Sequence, residues 1–175
     1  IAQYVIPIYL AHFHKRFPDI KVELTNANSV EIEQLLIDKK IDLGLVEGAI
    51  HHSDLKYTTF LQDEIVLVTN PLNAVKRRII KAEDLNKLPF LTRENGSGTS
   101  EIIEEHLTKI GLSSQELMIQ MQLGSTESIK NYLYYSDTFA FLSIYSVKQE
   151  LSDERLIIVD VDGLDIVRNF SFVYR

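Results

Sequence analysis

Amphipathic helices and short apolar runs alternate along this chain, and that alternation is the feature that most constrains its fold. Ile6, Leu10 and Phe13 recur at helical spacing in a segment that ends at a Phe-Pro pair. Pro7 in the same segment predicts a kink unless the first turn of the helix begins beside it. Residues 20–27 then alternate apolar and polar side chains, as in a strand. Strands that alternate with helices are typical of parallel α/β units.

The second helix begins with a capping signature, because Asn28 and Glu31 stand at capping-box spacing. Residues 42–48 follow as a short apolar run between turns, which predicts a strand buried on both faces of a parallel sheet. The later elements are predicted as strands at 56–61, 64–70, 88–93, 117–123, 138–143, 155–161 and 168–174, and as helices at 99–110, 125–135 and 145–151.

The polar stretch 71–87 separates two consecutive sets of these elements. Two sets joined by a narrow passage predict two lobes with a cleft between them. Residues 1–69 are assigned to the first part of lobe I, residues 70–160 to lobe II, and residues 161–175 to a strand that returns to lobe I.

Charge and composition exclude several classes of protein. The formal net charge of −7 and a pI near 5.2 argue against direct binding of nucleic acid, which needs an excess of Lys and Arg. The chain has no cysteine, which excludes disulfides and thiolate metal sites and fits a reducing compartment. The apolar runs are too short to span a bilayer, and no signal peptide pattern opens the chain. A cytoplasmic protein without membrane contact is expected.

The loop "RENGSGTS", residues 93–100, has two readings that the residues alone leave open. Ser97 or Thr99 can cap the helix that follows, and this requires no ligand. Two glycines in the same loop let backbone N–H groups approach a bound molecule closely.

Three more polar loops follow predicted elements, at 25–29, 47–52 and 124–128. Loops at the carboxyl ends of neighbouring strands face one crevice, which predicts a site for a small polar molecule. The loops lack the phosphate-loop and dinucleotide signatures, and the histidines lack a spacing that converges on a metal. No Gly-x-Ser-x-Gly elbow occurs either. No metal, no cofactor and no enzyme activity are therefore expected.

The order of these segments resembles the effector-binding domain of LysR-type transcriptional regulators along nearly the whole chain. The resemblance begins with "YVIPIYLAHFHKRFPD" and "IDLGLVEG" and continues through "LGSTESIKNYL", "FAFLSIYSVKQEL" and "RNFSFVYR". The segment "LPFLTRENGSGTS" is similar to the loop of the subgroup that includes the CysL and CbbR regulators.

The resemblance implies an α/β fold with two Rossmann-like lobes of periplasmic-binding-protein type II architecture, joined by two crossover strands. A small effector, often an anion or carboxylate, would bind between the lobes and modulate DNA binding by a separate N-terminal winged helix-turn-helix. The positions that match the effector contacts of the family are Thr25, Asn26, Asn28, Glu47, Gly48, Gly96, Ser97, Gly98, Thr99, Ser100, Ser125 and Thr126.

The resemblance also implies a homodimer, with a tetramer in the full-length protein. The first helix would pack against the other lobe of the partner, so Ile8, His12 and Lys15 are candidates for the dimer interface. The winged helix-turn-helix and the strand that the family places ahead of the first helix are absent from this sequence, and the chain is not expected to bind an operator alone. Residues 137–139 replace glycines that are usual in the family. The alternative function is a stand-alone solute-binding protein of similar fold.

Overall fold

The computed structural model describes residues 2–47, 52–73, 78–93 and 98–175. The predicted site residues Gly48, Gly96 and Ser97 lie outside these described ranges.

The described chain alternates helices and strands. The helices are α1 (Ile6–Arg16), α2 (Ser29–Ile37), α3 (Gly98–Lys109), α4 (Thr126–Leu133) and α5 (Ile144–Ser152), with short 3₁₀ turns at Ala82–Lys87 and Ser114–Glu116. The strands are β1 (Gly44–Glu47), β2 (Lys56–Thr69), β3 (Ile79–Lys81), β4 (Pro89–Arg93), β5 (Met118–Leu123), β6 (Phe139–Ser143), β7 (Ile157–Ile158), β8 (Asp160–Asp162) and β9 (Ile166–Tyr174).

The starts of the first two helices follow from local chemistry. Pro7 stands in the first turn of α1, where a missing N–H costs no helical hydrogen bond, so it does not interrupt the helix. The Asn28 side chain accepts a hydrogen bond from the Glu31 backbone at 2.9 Å, and the Glu31 carboxylate accepts one from the Asn28 backbone at 3.3 Å. The predicted capping box is therefore confirmed.

A mixed sheet organises the fold, with the strand order β1-β9-β2-β6-β4-β5. Its centre is a long antiparallel pair, in which β2 and β9 run side by side from Lys56 opposite Tyr174 to Ile65 opposite Ile166. β4 lies parallel to both β5 and β6. The second half of β2 pairs with β6, so one strand takes part in both ends of the sheet.

Two strand predictions are wrong in pairing or extent. β1 runs antiparallel to β9 and has no other neighbour among the described strands, whereas a parallel strand was expected. The strands predicted at 56–61 and 64–70 are one continuous strand, β2. The intervening Gln62 and Asp63 suggested a break, but both pair in register with β9 residues.

The strand predicted at 20–27 is also wrong. Residues 20–28 carry no strand assignment, and Ile20, Val22 and Leu24 are each about half exposed. Alternating side chains hold a strand in place only when a neighbouring strand completes the ladder, and no described strand pairs with this segment.

Three groups of buried side chains cover the sheet. One face packs against α3 through a core that includes Phe90, Ile102 and Leu107, and the opposite face packs against α4 and α5 through Ile129, Leu133 and Val147. A smaller core joins α2 to β1 and β9 through Ile32, Leu36, Val46, Leu55 and Val173.

A substitution at Gly44 tests how tightly the smaller core is packed. A Cβ atom at this position would lie 2.5 Å from Ile32 Cγ2 and 2.7 Å from Val173 Cγ1, both on stiff β-branched side chains. We expect Gly44→Ala to lower the free energy of unfolding by about 1–3 kcal/mol, measured by urea denaturation. Gly124→Ala is the matched control because nothing lies within 4 Å of its added Cβ. Equal stability of the two variants would contradict the packing described here.

Candidate functional site

A buried ion pair joins the two longest strands. Asp63 on β2 and Arg168 on β9 stand opposite each other in register. Arg168 Nε donates to Asp63 Oδ2 at 2.8 Å, and the Ser143 hydroxyl donates to Asp63 Oδ1 at 2.8 Å. The Asp63 side chain is fully buried and that of Arg168 nearly so. Ions this deeply buried need such complete pairing, because their desolvation is costly.

The same guanidinium brings two predicted site residues together. Arg168 Nη1 donates to the Glu47 carboxylate at the end of β1 and, at 2.9 Å, to the Thr99 hydroxyl in the first turn of α3. The Phe170 ring supports the guanidinium at 4.7 Å. Glu47 and Thr99 come from distant parts of the chain, so Arg168 forms a contact point between the smaller core and the α3 side of the sheet.

The start of α2 reaches the backbone of Glu47 through Ser29, the first residue of the helix. The Ser29 hydroxyl donates to the Glu47 carbonyl at 3.3 Å and accepts from the Glu47 N–H at 3.4 Å. The Asn28 side chain is engaged in capping α2. Thr25 and Asn26 are exposed, and their side chains make no hydrogen bond within the described residues.

The predicted residues at α4 form a separate arrangement. Ser125 caps the helix by accepting from the Ser128 N–H at 3.1 Å, and Thr126 accepts from Arg93 Nη1 at 3.3 Å. This places a guanidinium at the helix N-terminus, a combination that favours anions. Ser100 and Gly98 lie in the first turn of α3. No described hydrogen bond joins Ser125 or Thr126 to the contacts of Glu47 and Thr99.

A second buried cation is the side chain of Lys130, a residue of α4. Lys130 Nζ contacts the carboxylates of Glu127 at 2.8 Å and Glu150 at 3.0 Å, and it donates to the Ser146 carbonyl at 3.0 Å. The Tyr4 ring lies 5.1 Å from the same ammonium, and the Tyr4 hydroxyl donates to Glu127. These contacts join the segment ahead of α1 to α4.

The ionisation of this group follows from those contacts. Burial acts to raise the pKa of Glu150, but hydrogen bonds from Lys130 and Tyr134 outweigh it and hold the pKa below its ordinary value. The pKa of Glu127 is likewise lowered, because its bonds from Lys130 and Tyr4 outweigh burial. Burial and the bond to Glu150 raise the pKa of Tyr134 to about 12.

The sequence reasoning missed Asp63, Arg168, Arg93 and Lys130 as site residues. One signal was available for Arg168: in "IVRNFSF" it shares the inward face of the strand with Ile166 and Phe170. An arginine at an inward position requires a buried partner. Lys130 gives no comparable signal, because a lysine in an amphipathic helix is usually exposed.

The predicted dimer residues lie on a helix that the described chain covers only in part, through contacts such as that of Tyr9 with Phe60. No residue of α1 is buried. Ile8, His12 and Lys15 are all exposed, and Tyr9, Phe13 and Phe17 also expose a large part of their rings.

Replacing Lys130 tests how much its buried ammonium stabilises the folded protein. We expect Lys130→Met to lower the free energy of unfolding by about 3–5 kcal/mol at pH 7, because Glu127 loses its cation and Glu150 keeps only Arg155, at 3.8 Å. Since the pKa values of Glu127 and Glu150 are lowered in the folded protein, the stabilisation is present above the ordinary value of 4.5 and is lost as the pH falls through the folded value. The gap between variant and wild type should therefore narrow below pH 4.5 in urea denaturation. A gap that is constant with pH would exclude this linkage.

Two further findings bear on function. In the part of the chain that the structure describes, no helix has the length and apolarity to cross a membrane. Within the same ranges, no group of three or more His, Asp or Glu side chains is arranged to hold a metal ion.

Similar proteins are known. The transcriptional regulator YeiE of Escherichia coli K12 is 29% identical over 155 residues, which cover 86% of this chain and 50% of YeiE. The regulator CysL of Bacillus subtilis is 24% identical over 175 residues, covering 99% of this chain and 58% of CysL. The chain thus spans about half the length of these curated relatives.

A solved structure with the same fold is the CcmR regulatory domain of Synechocystis PCC6803 in complex with 2-PG. It is 28% identical with a TM-score of 0.84, and the match covers 98% of this chain and 82% of that chain. This confirms the predicted α/β fold of periplasmic-binding-protein type II. The family model for the LysR substrate binding domain matches residues 1–175. The chain therefore belongs to the LysR substrate-binding domain family.

Proposed function

We propose that this chain is the effector-sensing domain of a LysR-type transcriptional regulator and binds a small anionic metabolite in a cleft between two lobes. The observation that carries the proposal is the Arg168 guanidinium, which contacts Glu47 and Thr99 at once. A ligand that separates or tightens these two contacts changes the relation between the elements that carry them.

The lobes are proposed as residues 1–69 for the first part of lobe I, residues 70–160 for lobe II, and residues 161–175 for the return to lobe I. The separate small core around α2 supports this division. The two long strands β2 and β9 are its proposed crossovers, since they are the strands that connect the small core to the rest of the sheet.

An anionic effector fits the polar groups at the starts of α3 and α4. Thr99, Ser125 and Thr126 present hydroxyls there, and Arg93 adds a positive charge beside Thr126. Helix N-termini favour negative groups through their unpaired N–H groups. The related CcmR domain was solved with 2-PG, which supports a small-molecule ligand for this chain as well.

The response would pass to DNA through a separate N-terminal winged helix-turn-helix, in a cytoplasmic protein without catalytic activity. The relatives YeiE and CysL are described as HTH-type transcriptional regulators about twice as long as their match to this chain. A sensor works only when its ligand binds one arrangement better than another, and a difference of about 1–3 kcal/mol is typical of such coupling.

A thermal-shift panel tests the proposed effector site. Sulfate, phosphate, 2-PG and small carboxylic acids are added to the wild-type chain and to Thr99→Ala. We expect at least one of these anions to raise the melting temperature of the wild type. For that anion, Thr99→Ala should weaken binding about 10-fold or more, because the proposed site loses a hydroxyl and Arg168 Nη1 loses the acceptor at 2.9 Å that orients it.

Thr108→Ala is the matched control, since Thr108 lies in the same helix and its hydroxyl donates to the Glu104 carbonyl on the exposed side. This control should keep the affinity of the wild type. An anion that binds wild type and Thr99→Ala equally well would show that the effector site lies elsewhere.

We also propose that two copies of the chain pair through α1, with Ile8, His12 and Lys15 in the interface and a tetramer in the full-length protein. Ile8 is 60% exposed on a helix without any buried residue. The edge strand β5 exposes Met118, Ile119 and Met121. An antiparallel pair would place α1 of one copy against β5 of the other and cover both apolar surfaces.

Sedimentation velocity tests this pairing. We expect the wild-type chain to dimerise and Ile8→Asp to raise the dimer dissociation constant at least about 10-fold, because a charge would enter an apolar interface. Leu72→Asp is the matched control, since Leu72 is 89% exposed in the turn after β2. If both substitutions act alike, α1 is not the interface.

A further inference from the structure

We infer that the ligand of this cleft carries a hydrogen-bond donor, a hydroxyl or ammonium group, in addition to its anionic group. The inference rests on the proposed function and narrows the ligand class to small hydroxy acids and amino acids. It follows from the charges and open hydrogen-bonding positions around Arg168.

The contact point has an excess of negative charge. Glu47 and Asp63 surround the single guanidinium of Arg168, which leaves one negative charge over. Asp63 is saturated, because one oxygen accepts from Arg168 and the other from Ser143. The excess charge is therefore associated with Glu47.

Glu47 also has accepting capacity that the protein does not use. One oxygen, Oε2, contacts Arg168, whereas Oε1 accepts no hydrogen bond within the described ranges. The side chain is 19% exposed, so a small molecule can reach it from solvent. An ionised carboxylate is only an acceptor, and a group placed against it must donate a hydrogen bond. A second anionic group there would be repelled.

The wall at α4 has the opposite preference. Arg93 donates to Thr126 at the helix N-terminus, and the carboxylates of Glu127 and Glu150 are paired with Lys130 and Arg155. A negative group is favoured at this end. A ligand with its acid at α4 and its donor at Glu47 would satisfy both walls, whereas a symmetric dianion would satisfy only one.

Matched acids test the inference by isothermal titration. The first set of probes is succinate, malate and aspartate, and the second is propionate, lactate and alanine. Within each set, the acids differ only in whether they carry a hydroxyl group, an ammonium group or neither. We expect a donor-bearing acid to bind the wild type about 10- to 100-fold more tightly than its plain counterpart, the range for a hydrogen bond to a charged group.

Two substitutions test whether Glu47 causes the tighter binding of donor-bearing acids. Glu47→Gln keeps the size of the side chain and removes the charge, and it should reduce the preference at least about 5-fold. Glu64→Gln changes the net charge equally, but its exposed side chain points to the opposite face of β2 from Asp63, so the preference should stay unchanged.

Different results would overturn the inference about Glu47 and the proposed effector site. If plain acids bind as well as their hydroxy or amino counterparts, and Thr99→Ala still weakens them, the donor requirement is wrong and the effector site stands. If a preference exists but Glu47→Gln preserves it, the inference about Glu47 is likewise wrong. If none of the six acids binds, both the inference and the proposed site for small organic acids are overturned.

Discussion

Asp63 and Arg168 face each other across β2 and β9, and the arrangement of the candidate site depends on this ion pair. A buried pair is seldom a strong source of stability, because the desolvation of both ions offsets most of their attraction. Its effect here is on geometry. With Nε fixed on Asp63 and the guanidinium resting on Phe170, Nη1 has little freedom and is directed at Glu47 and Thr99. A lysine at position 168 would lack the planar fork that makes these contacts simultaneous.

That geometry links the contacts of Glu47 and Thr99 to the longest elements of the fold. Arg168 lies within a ladder that extends over most of β9, so a change at Nη1 acts on a strand that the backbone holds firmly. Glu47 ends β1, where it pairs with Phe170 of β9, whereas Thr99 lies in the first turn of α3, outside the sheet. Under the proposed function, a ligand near these contacts would act only if it bound one arrangement of α3 and the sheet better than another.

The sequence predicted elements that local chemistry determines and missed features that depend on distant partners. The capping box at Asn28 is encoded within a few residues, and the structure shows the same for the end of α3, where Gly111 follows the helix with a φ of +80°. The strand at 20–27 failed because pairing is a tertiary property. The strands predicted at 56–61 and 64–70 are one strand for the same reason, since it is the opposite Arg168 that makes the Asp63 carboxylate acceptable inside β2. Of the predicted site residues, the two that meet, Glu47 and Thr99, do so through that unrecognised arginine.

The charge around Arg168 also affects what the start of α3, which follows the glycine-rich loop, can bind. A helix N-terminus lined by hydroxyls suggests a binding site for an anion. At α3, however, the Glu47 carboxylate already lies close to the helix N-terminus, because both Glu47 and Thr99 contact Nη1 of Arg168. The protein thus supplies part of the negative charge that this helix end favours. Under the proposed function, the start of α4 is the better place for an anion, because Arg93 lies beside Thr126 and the carboxylates of Glu127 and Glu150 are paired with Lys130 and Arg155. Two helix starts of similar sequence therefore differ in what they can bind, and the difference arises from residues outside both loops.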